Sequence, residues 1–154
     1  MKTYVFRVRL KDNKNVWRDV EIKADQTLAD LHNIIFSTFN RYEPHLYSFF
    51  LSNQPWDNES EYGLPYEGFA GVKDSRQAKL DELGIQPGHK FLYVFDYGDE
   101  WWHALELKKI NEHAPAGVYP KLVKAKGDAP PQYPDEAESS EGLKEEDDDY
   151  EDTA

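Results

Sequence analysis

Cysteine is absent from this 154-residue chain. That excludes disulfides and thiolate metal sites outright. Long apolar runs are missing too. No stretch approaches the ~20 consecutive apolar residues that a membrane-spanning helix needs. The amino-terminal Met1-Lys-Thr-Tyr-Val-Phe-Arg7 lacks the apolar centre of a secretory signal, and Arg7 and Arg9 interrupt it. A cytoplasmic protein without a membrane partner is the expectation. The spacings of common chemistry are also lacking. Gly63, Gly68 and Gly71 come with neither a phosphate-loop lysine nor dinucleotide spacing, and no paired-histidine helix motif occurs. No serine sits in a nucleophile elbow. No cofactor and no metal are therefore expected.

A basic surplus is lacking as well. The formal net charge is −12, and its distribution is uneven. Residues 128–154 hold twelve acidic side chains and one lysine, whereas residues 1–127 hold eighteen acidic and seventeen basic ones. The body is nearly neutral, and the acidity is a tail. Residues 1–134 are expected to form one α+β domain. Residues 135–154, with the run Glu145-Glu-Asp-Asp-Asp149, cannot bury apolar area and are expected to be a disordered acidic tail. Nucleic acid is disfavoured as a partner, because no basic patch stands out and the tail repels phosphate. The small stripe Lys121, Lys124, Lys126 reads as an offset to that tail.

Aromatic rings are abundant, at 14% of residues. Tyr4, Phe6, Val8 and Leu10 alternate with Arg7, Arg9 and Lys11, which predicts a half-buried strand. Asp12 to Asn15 is a turn cluster, and Val16–Ile22 alternates again as an antiparallel partner. Thr27 with Asp30 forms an acidic variant of the capping box and opens a helix. Leu28, Leu31, Ile35 and Phe39 continue it to near Asn40. His45–Leu51 reads as a third strand. Residues 52–75 form a long irregular segment whose Trp56, Tyr62, Tyr66 and Phe69 should pack down. Gln77–Leu83 predicts a short helix ending at Gly84. After Ile110, prolines and glycines predict a strap, with an edge strand within Tyr119–Val123. The order ββαβ(α)ββ plus a C-terminal strap indicates a β-grasp-like mixed sheet with one main helix packed on one face.

The densest chemistry lies in Phe91–Leu107. Gly98-Asp99 suits a two-residue type II′ turn. With that turn, Asp96 and His103 become diagonal neighbours on one face, where a carboxylate could fix an imidazole tautomer. An acid–base site of Asp96, Asp99 and His103, joined by His32 or His45, is one reading. A structural hydrogen bond at the hairpin end is the other, and the more frequent outcome for such pairs. Trp17 is expected in the core. Arg18 points to the opposite face, as a partner for a hairpin carboxylate or as a solvated arginine. His32 reads as a helix-boundary residue, and His45 as an anchor after Pro44.

Four pieces in order carry a resemblance: Val16-Trp-Arg-Asp-Val20, Leu28-Ala-Asp-Leu-His32, His45-Leu-Tyr-Ser-Phe49, and Tyr93–His103 with Leu105 and Leu107. Over residues 3 to 134 the chain resembles the Ri-plasmid ORF-three-like domain family, often labelled a resolvase-like transposon passenger. The resemblance implies a compact α+β domain related to β-grasp proteins, and the family brings no established activity. Nothing here resembles the serine and arginines of a serine recombinase. The family's Pro-Pro-Glu-Asp-Cys-Gly-Gly pattern is replaced here by Ala129-Pro-Pro-Gln-Tyr-Pro-Asp135.

The leading reading is a small non-catalytic interaction module, associated with plasmids or mobile elements. It would take a protein or peptide partner on an exposed sheet edge or on the aromatic loop at 53–69. Its candidate binding residues are Arg18, His32, His45, Trp56, Tyr62, Tyr66 and Trp101. The alternative is a hydrolase or metal-assisted enzyme using Asp96, Asp99 and His103. A nucleic-acid accessory role is the weakest of the three.

Overall fold

The structure, a computed structural model, describes residues 1–65 and 71–133. Two antiparallel strands open the chain, β1 (Thr3–Leu10) and β2 (Trp17–Lys23), with Phe6 opposite Val20 and Val8 opposite Arg18. The alternation turns Tyr4, Phe6, Val8 and Leu10 into the core and leaves Arg7 and Arg9 on the other face. Helix α1 (Leu28–Thr38) follows. Thr27 Oγ1 accepts the Asp30 amide at 3.2 Å, and the Asp30 carboxylate accepts the Thr27 amide at 3.0 Å. That reciprocal cap satisfies two otherwise free donors.

The remaining strands are β3 (Tyr47–Phe50), β4 (Glu61–Gly63), β5 (Lys73–Asp74), β6 (Lys90–Phe95), β7 (Trp101–Asn111) and β8 (Lys121–Lys126). They form one eight-stranded sheet in the order β5-β4-β3-β6-β7-β1-β2-β8. All pairs are antiparallel except β4 with β5. The fold is thus mixed α+β with one main helix. Leu28, Leu31 and Ile35 of α1 pack with Phe6, Ile22, Phe91, Tyr93 and Leu107 on one face of the sheet, all fully buried. Burying each such side chain contributes roughly 1.5–3 kcal/mol.

Three elements differ from expectation. The helix expected over 77–83 is a single 3₁₀ turn, Leu80–Glu82. The backbone there is committed elsewhere: Leu28 N–H binds Ala78 O, Leu80 N–H binds Gln26 O and Asp81 N–H binds Ala24 O. Those bonds tie the segment to the loop before α1, so no helical ladder can form. The irregular stretch 52–75 supplies β4 and β5, which widen the sheet. The strand expected within Tyr119–Val123 begins later, at Lys121, and pairs with β2. Pro120 has no amide to donate to a ladder. The acidic segment expected to be a tail lies outside the described residues.

Candidate functional site

The hairpin sets the geometry of the candidate residues, and its register is not the expected one. Phe95 pairs with Trp101, Val94 with Trp102 and Tyr93 with His103. The connection therefore runs from Asp96 to Glu100 rather than through Gly98-Asp99 alone. Asp96 organises it. Its Oδ1 accepts the amides of Gly98 at 3.1 Å and Asp99 at 3.2 Å, and its carbonyl accepts the Glu100 amide at 2.6 Å. Asp96 and Glu100 take left-handed φ values of 69° and 52°. This register puts Phe91, Tyr93 and Phe95 on the same face as His103, Leu105 and Leu107. The two-residue turn would have split these apolar sets between faces, so core burial decides against it. The expected diagonal pair of Asp96 and His103 is absent.

His103 lies at the centre of the core with no exposed surface. Its Nδ1 is 3.3 Å from the Tyr93 carbonyl, and its Nε2 is 3.2 Å from Arg41 Nη2. A carbonyl only accepts, so Nδ1 carries the proton and the Nε2 lone pair receives the guanidinium. Burial first, and the Arg41 charge second, hold the His103 pKa well below the usual histidine range. His32 Nδ1 meets the Tyr93 hydroxyl at 2.6 Å, and its ring stacks on Tyr47 at 3.6 Å. Burial, with a smaller push from Arg41, lowers the His32 pKa to about 3. Burial also raises the Tyr93 hydroxyl well above the ordinary phenol range. Both histidines are neutral at pH 7, and both ring nitrogens of His103 are committed.

Arg41, which nothing in the sequence singled out, is the hub of this cluster. It is only 5% exposed. Its Cζ lies 5.0 Å from the Trp101 ring centroid, 5.2 Å from Phe95 and 5.5 Å from Phe39. Those π-faces replace part of its lost hydration. Its Nε and Nη1, and Trp101 Nε1, have no hydrogen-bond partner among the described residues. Burial pulls the Arg41 pKa down to about 10, against the opposing pull of Tyr93 and Asp96.

Asp96 pairs with His45 instead of His103. Its Oδ2 is 3.5 Å from His45 Nε2, which also lies 2.9 Å from the Tyr133 hydroxyl. Tyr133 donates to Glu43 at 2.6 Å, and that bond raises its pKa. Beside it, Gln132 Oε1 accepts the amides of Tyr42 and Glu43, so residues 132–133 clasp the loop after α1. Asp99 is exposed, and its amide rather than its carboxylate makes the turn contact. Arg18 departs from both expectations. It is buried and donates to the carbonyls of Thr38, Trp17 and Lys126, capping the C-terminal end of α1. Tyr62 lies under Lys73 Nζ at 5.2 Å. Tyr66 falls outside the described residues. Among the described residues no group of three or more histidine and acidic side chains is placed to hold a metal ion.

The face of the sheet opposite α1 carries a second assembly. Phe50 and Val94 lie there with Trp102, and Trp56 packs edge-on against Phe50, Tyr97 and Trp102 at 5.4–5.6 Å. Tyr97 is fixed below it, with its hydroxyl 2.6 Å from Ser48 Oγ, which donates to Glu61. Trp56 remains 47% exposed and has φ +58°. Beside this cluster β1, β6 and β7 form a groove of about 320 Å³ lined by Arg7, Arg9, Lys11, Lys90, Asn53 and Glu106, among others. The alternation of β1 already put Arg7, Arg9 and Lys11 on one face, but nothing local tied Lys90 to them.

Among known proteins, the family described as plasmid pRiA4b ORF-3-like protein matches residues 2–152. The chain belongs to this family. A relative, the uncharacterized protein y4hQ of Sinorhizobium fredii, is 29% identical over 119 residues. The match covers 76% of this chain and 58% of y4hQ, so the chain spans little more than half of that relative. The crystal structure of MM3350, a protein of unknown function from Methanosarcina mazei Go1, shares the fold with a TM-score of 0.69 and 25% identity. That likeness covers 85% of this chain and 72% of MM3350. The resemblance drawn from the four sequence motifs is therefore correct at the level of the family.

Proposed function

We propose that this pRiA4b ORF-3-like chain is a non-catalytic protein-binding module on a β-grasp-like scaffold. It engages its partner with the face of the sheet that α1 leaves open, and Trp56 is the anchor. One observation carries the reading. A tryptophan is held at φ +58° with 47% of its surface exposed. A bulky side chain in that backbone region costs roughly 1–3 kcal/mol, and such strain gathers at binding sites. The surrounding rings and the Ser48–Tyr97 bond fix the indole in place before any partner arrives. Rigid exposed indoles make strong interface anchors. His32, His103 and Trp101 serve the core in this reading, and His45 secures the 132–133 clasp.

The test is selection of peptides from a random display library on the immobilised full chain. Binders should emerge whose affinity falls at least ~10-fold on Trp56→Ala. They should weaken less on Tyr97→Phe, which loosens the support alone. Failure to select any binder, or binders indifferent to Trp56→Ala, would refute the reading.

One contact favours acid–base chemistry as a second reading, and it moves the centre from His103 to His45. The Asp96 carboxylate and the Tyr133 hydroxyl both meet His45 Nε2, which leaves Nδ1 as the ring atom able to take a proton from a ligand. Hydrolysis of a panel of ester and phosphoester substrates that is abolished by His45→Gln, and not by His103→Gln, would favour this reading over the first.

A further inference from the structure

The open face holds a feature that the aromatic anchor does not use. Four cations line the groove between β1, β6 and β7: Arg7, Arg9, Lys11 and Lys90. Arg7 is committed, since it grips Asp19 at 2.8 and 2.9 Å and stacks on Trp17 at 3.6 Å. Among the described residues no carboxylate lies within ion-pair distance of Arg9, Lys11 or Lys90. Glu106 is the one acidic side chain in the lining. It stands between Lys90 and Arg7 in the sheet register, paired with both. The groove is therefore strongly cationic on a body whose residues 1–127 are nearly neutral.

The shape of the groove follows from one small residue. In the row Leu92–Ala104–Arg9, which crosses three neighbouring strands, Ala104 has almost no side chain. The depression forms over it, with Leu92 as an apolar floor. Asn53, held at φ +68° after β3, supplies a polar amide at the rim. A volume of about 320 Å³ falls at the small-molecule end of ligand sites and is too little for a folded partner.

We propose that this groove binds a small organic phosphate, with the phosphate dianion held by Arg9, Lys11 and Lys90 and the organic part lying on Leu92 and Ala104. Three unpaired cations match a doubly charged group better than a monocarboxylate. Charge-assisted contacts from arginine and lysine are the strong hydrogen bonds that phosphate oxygens favour. This inference stands apart from the role of Trp56.

The test is calorimetric or NMR titration of the full chain at low salt with adenosine 5′-monophosphate, glucose 6-phosphate, inorganic phosphate, citrate and adenosine. The two phosphomonoesters should bind more tightly than inorganic phosphate or citrate, and adenosine should not bind. Arg9→Glu with Lys90→Glu should weaken the phosphomonoesters at least ~30-fold. Ala104→Leu, which fills the floor and leaves every charge in place, should weaken the phosphomonoesters more than inorganic phosphate. Trp56→Ala should leave all of these affinities unchanged, which separates this outcome from failure of the peptide-binding reading. The proposal is overturned if no phosphomonoester binds below 10 mM (about −2.7 kcal/mol), or if citrate binds as well as they do. It is also overturned if neither the charge-reversed nor the filled variant alters binding. A short single-stranded oligonucleotide or acidic peptide that outcompetes every small phosphate would assign the groove to a macromolecule instead.

Discussion

Lowering the pH from 7 to 5 should remove at least about 1.9 kcal/mol of stability, and the core-facing histidines His32 and His103 should account for it. His32 has its pKa lowered to about 3, and His103 is held well below the ordinary value. In the unfolded chain both titrate near ~6.5. Their folded pKa values lie below the unfolded ones, so the unfolded state binds more protons across that interval. Their contribution is present above the unfolded value and is lost as the pH falls through it. For His32, which titrates at ~6.5 unfolded and about 3 folded, integration from pH 7 to 5 gives about 1.9 kcal/mol. His103, shifted in the same direction, adds to that loss, and the His32 part alone is a sizeable fraction of the ~5–15 kcal/mol that holds a domain together. Stopping at pH 5 keeps the ordinary carboxylate range out of the comparison. The assay is urea unfolding followed by tryptophan fluorescence at both pH values. His103→Gln keeps an acceptor for Arg41 and removes the titrating ring, so it should reduce the pH dependence whatever its own stability. A loss under ~1 kcal/mol in the parent chain, or an unchanged dependence in His103→Gln, would refute the neutral-histidine core. So would an imidazole resonance of His103 titrating near its unperturbed value.

Arg41→Met removes a buried charge that has no carboxylate in contact among the described residues but leaves His103 Nε2 without its donor. These effects oppose each other, so the net change should stay within about 2 kcal/mol by urea unfolding. The His32 and His103 resonances should titrate at higher pH once the neighbouring cation is gone. Thr27→Ala should cost about 1 kcal/mol in the same assay through loss of the α1 cap. Gly127→Ala should cost more, about 2 kcal/mol or above. Gly127 sits at φ +80°, where an added Cβ would lie 2.6 Å from the Asn15 carbonyl. Equal stability of that variant and the parent would refute the close approach of β8 to the first turn.

Local signals in the sequence were read correctly where local physics decides. The β1–β2 alternation, the Thr27–Asp30 cap and the apolar stripe of α1 all depend on neighbours within a few residues. The hairpin register departs from the turn dipeptide's preference because the apolar parity of its flanks outweighs it. Phe91, Tyr93 and Phe95 against Leu105 and Leu107 already required the longer connection. Arg41 gave no signal. Its partners come from α1, β6 and β7, and a lone arginine after a helix usually reads as solvated. The cationic groove was half visible, in Arg7, Arg9 and Lys11, and needed the sheet order to bring Lys90 beside them. Arg18 looked like a surface residue because the helix terminus it caps arrives from 20 positions further along the chain.

The two ends of the strand order bear on how this protein behaves in company. One border, β5, is two residues long. The other, β8, places Lys121, Lys124 and Lys126 along six residues. A short rim offers little template for a further chain, and a lysine-studded rim repels its own copy. Crowding should therefore leave this protein dispersed rather than drive it into fibrils, and a visitor is better received on its broad flank than at its margins.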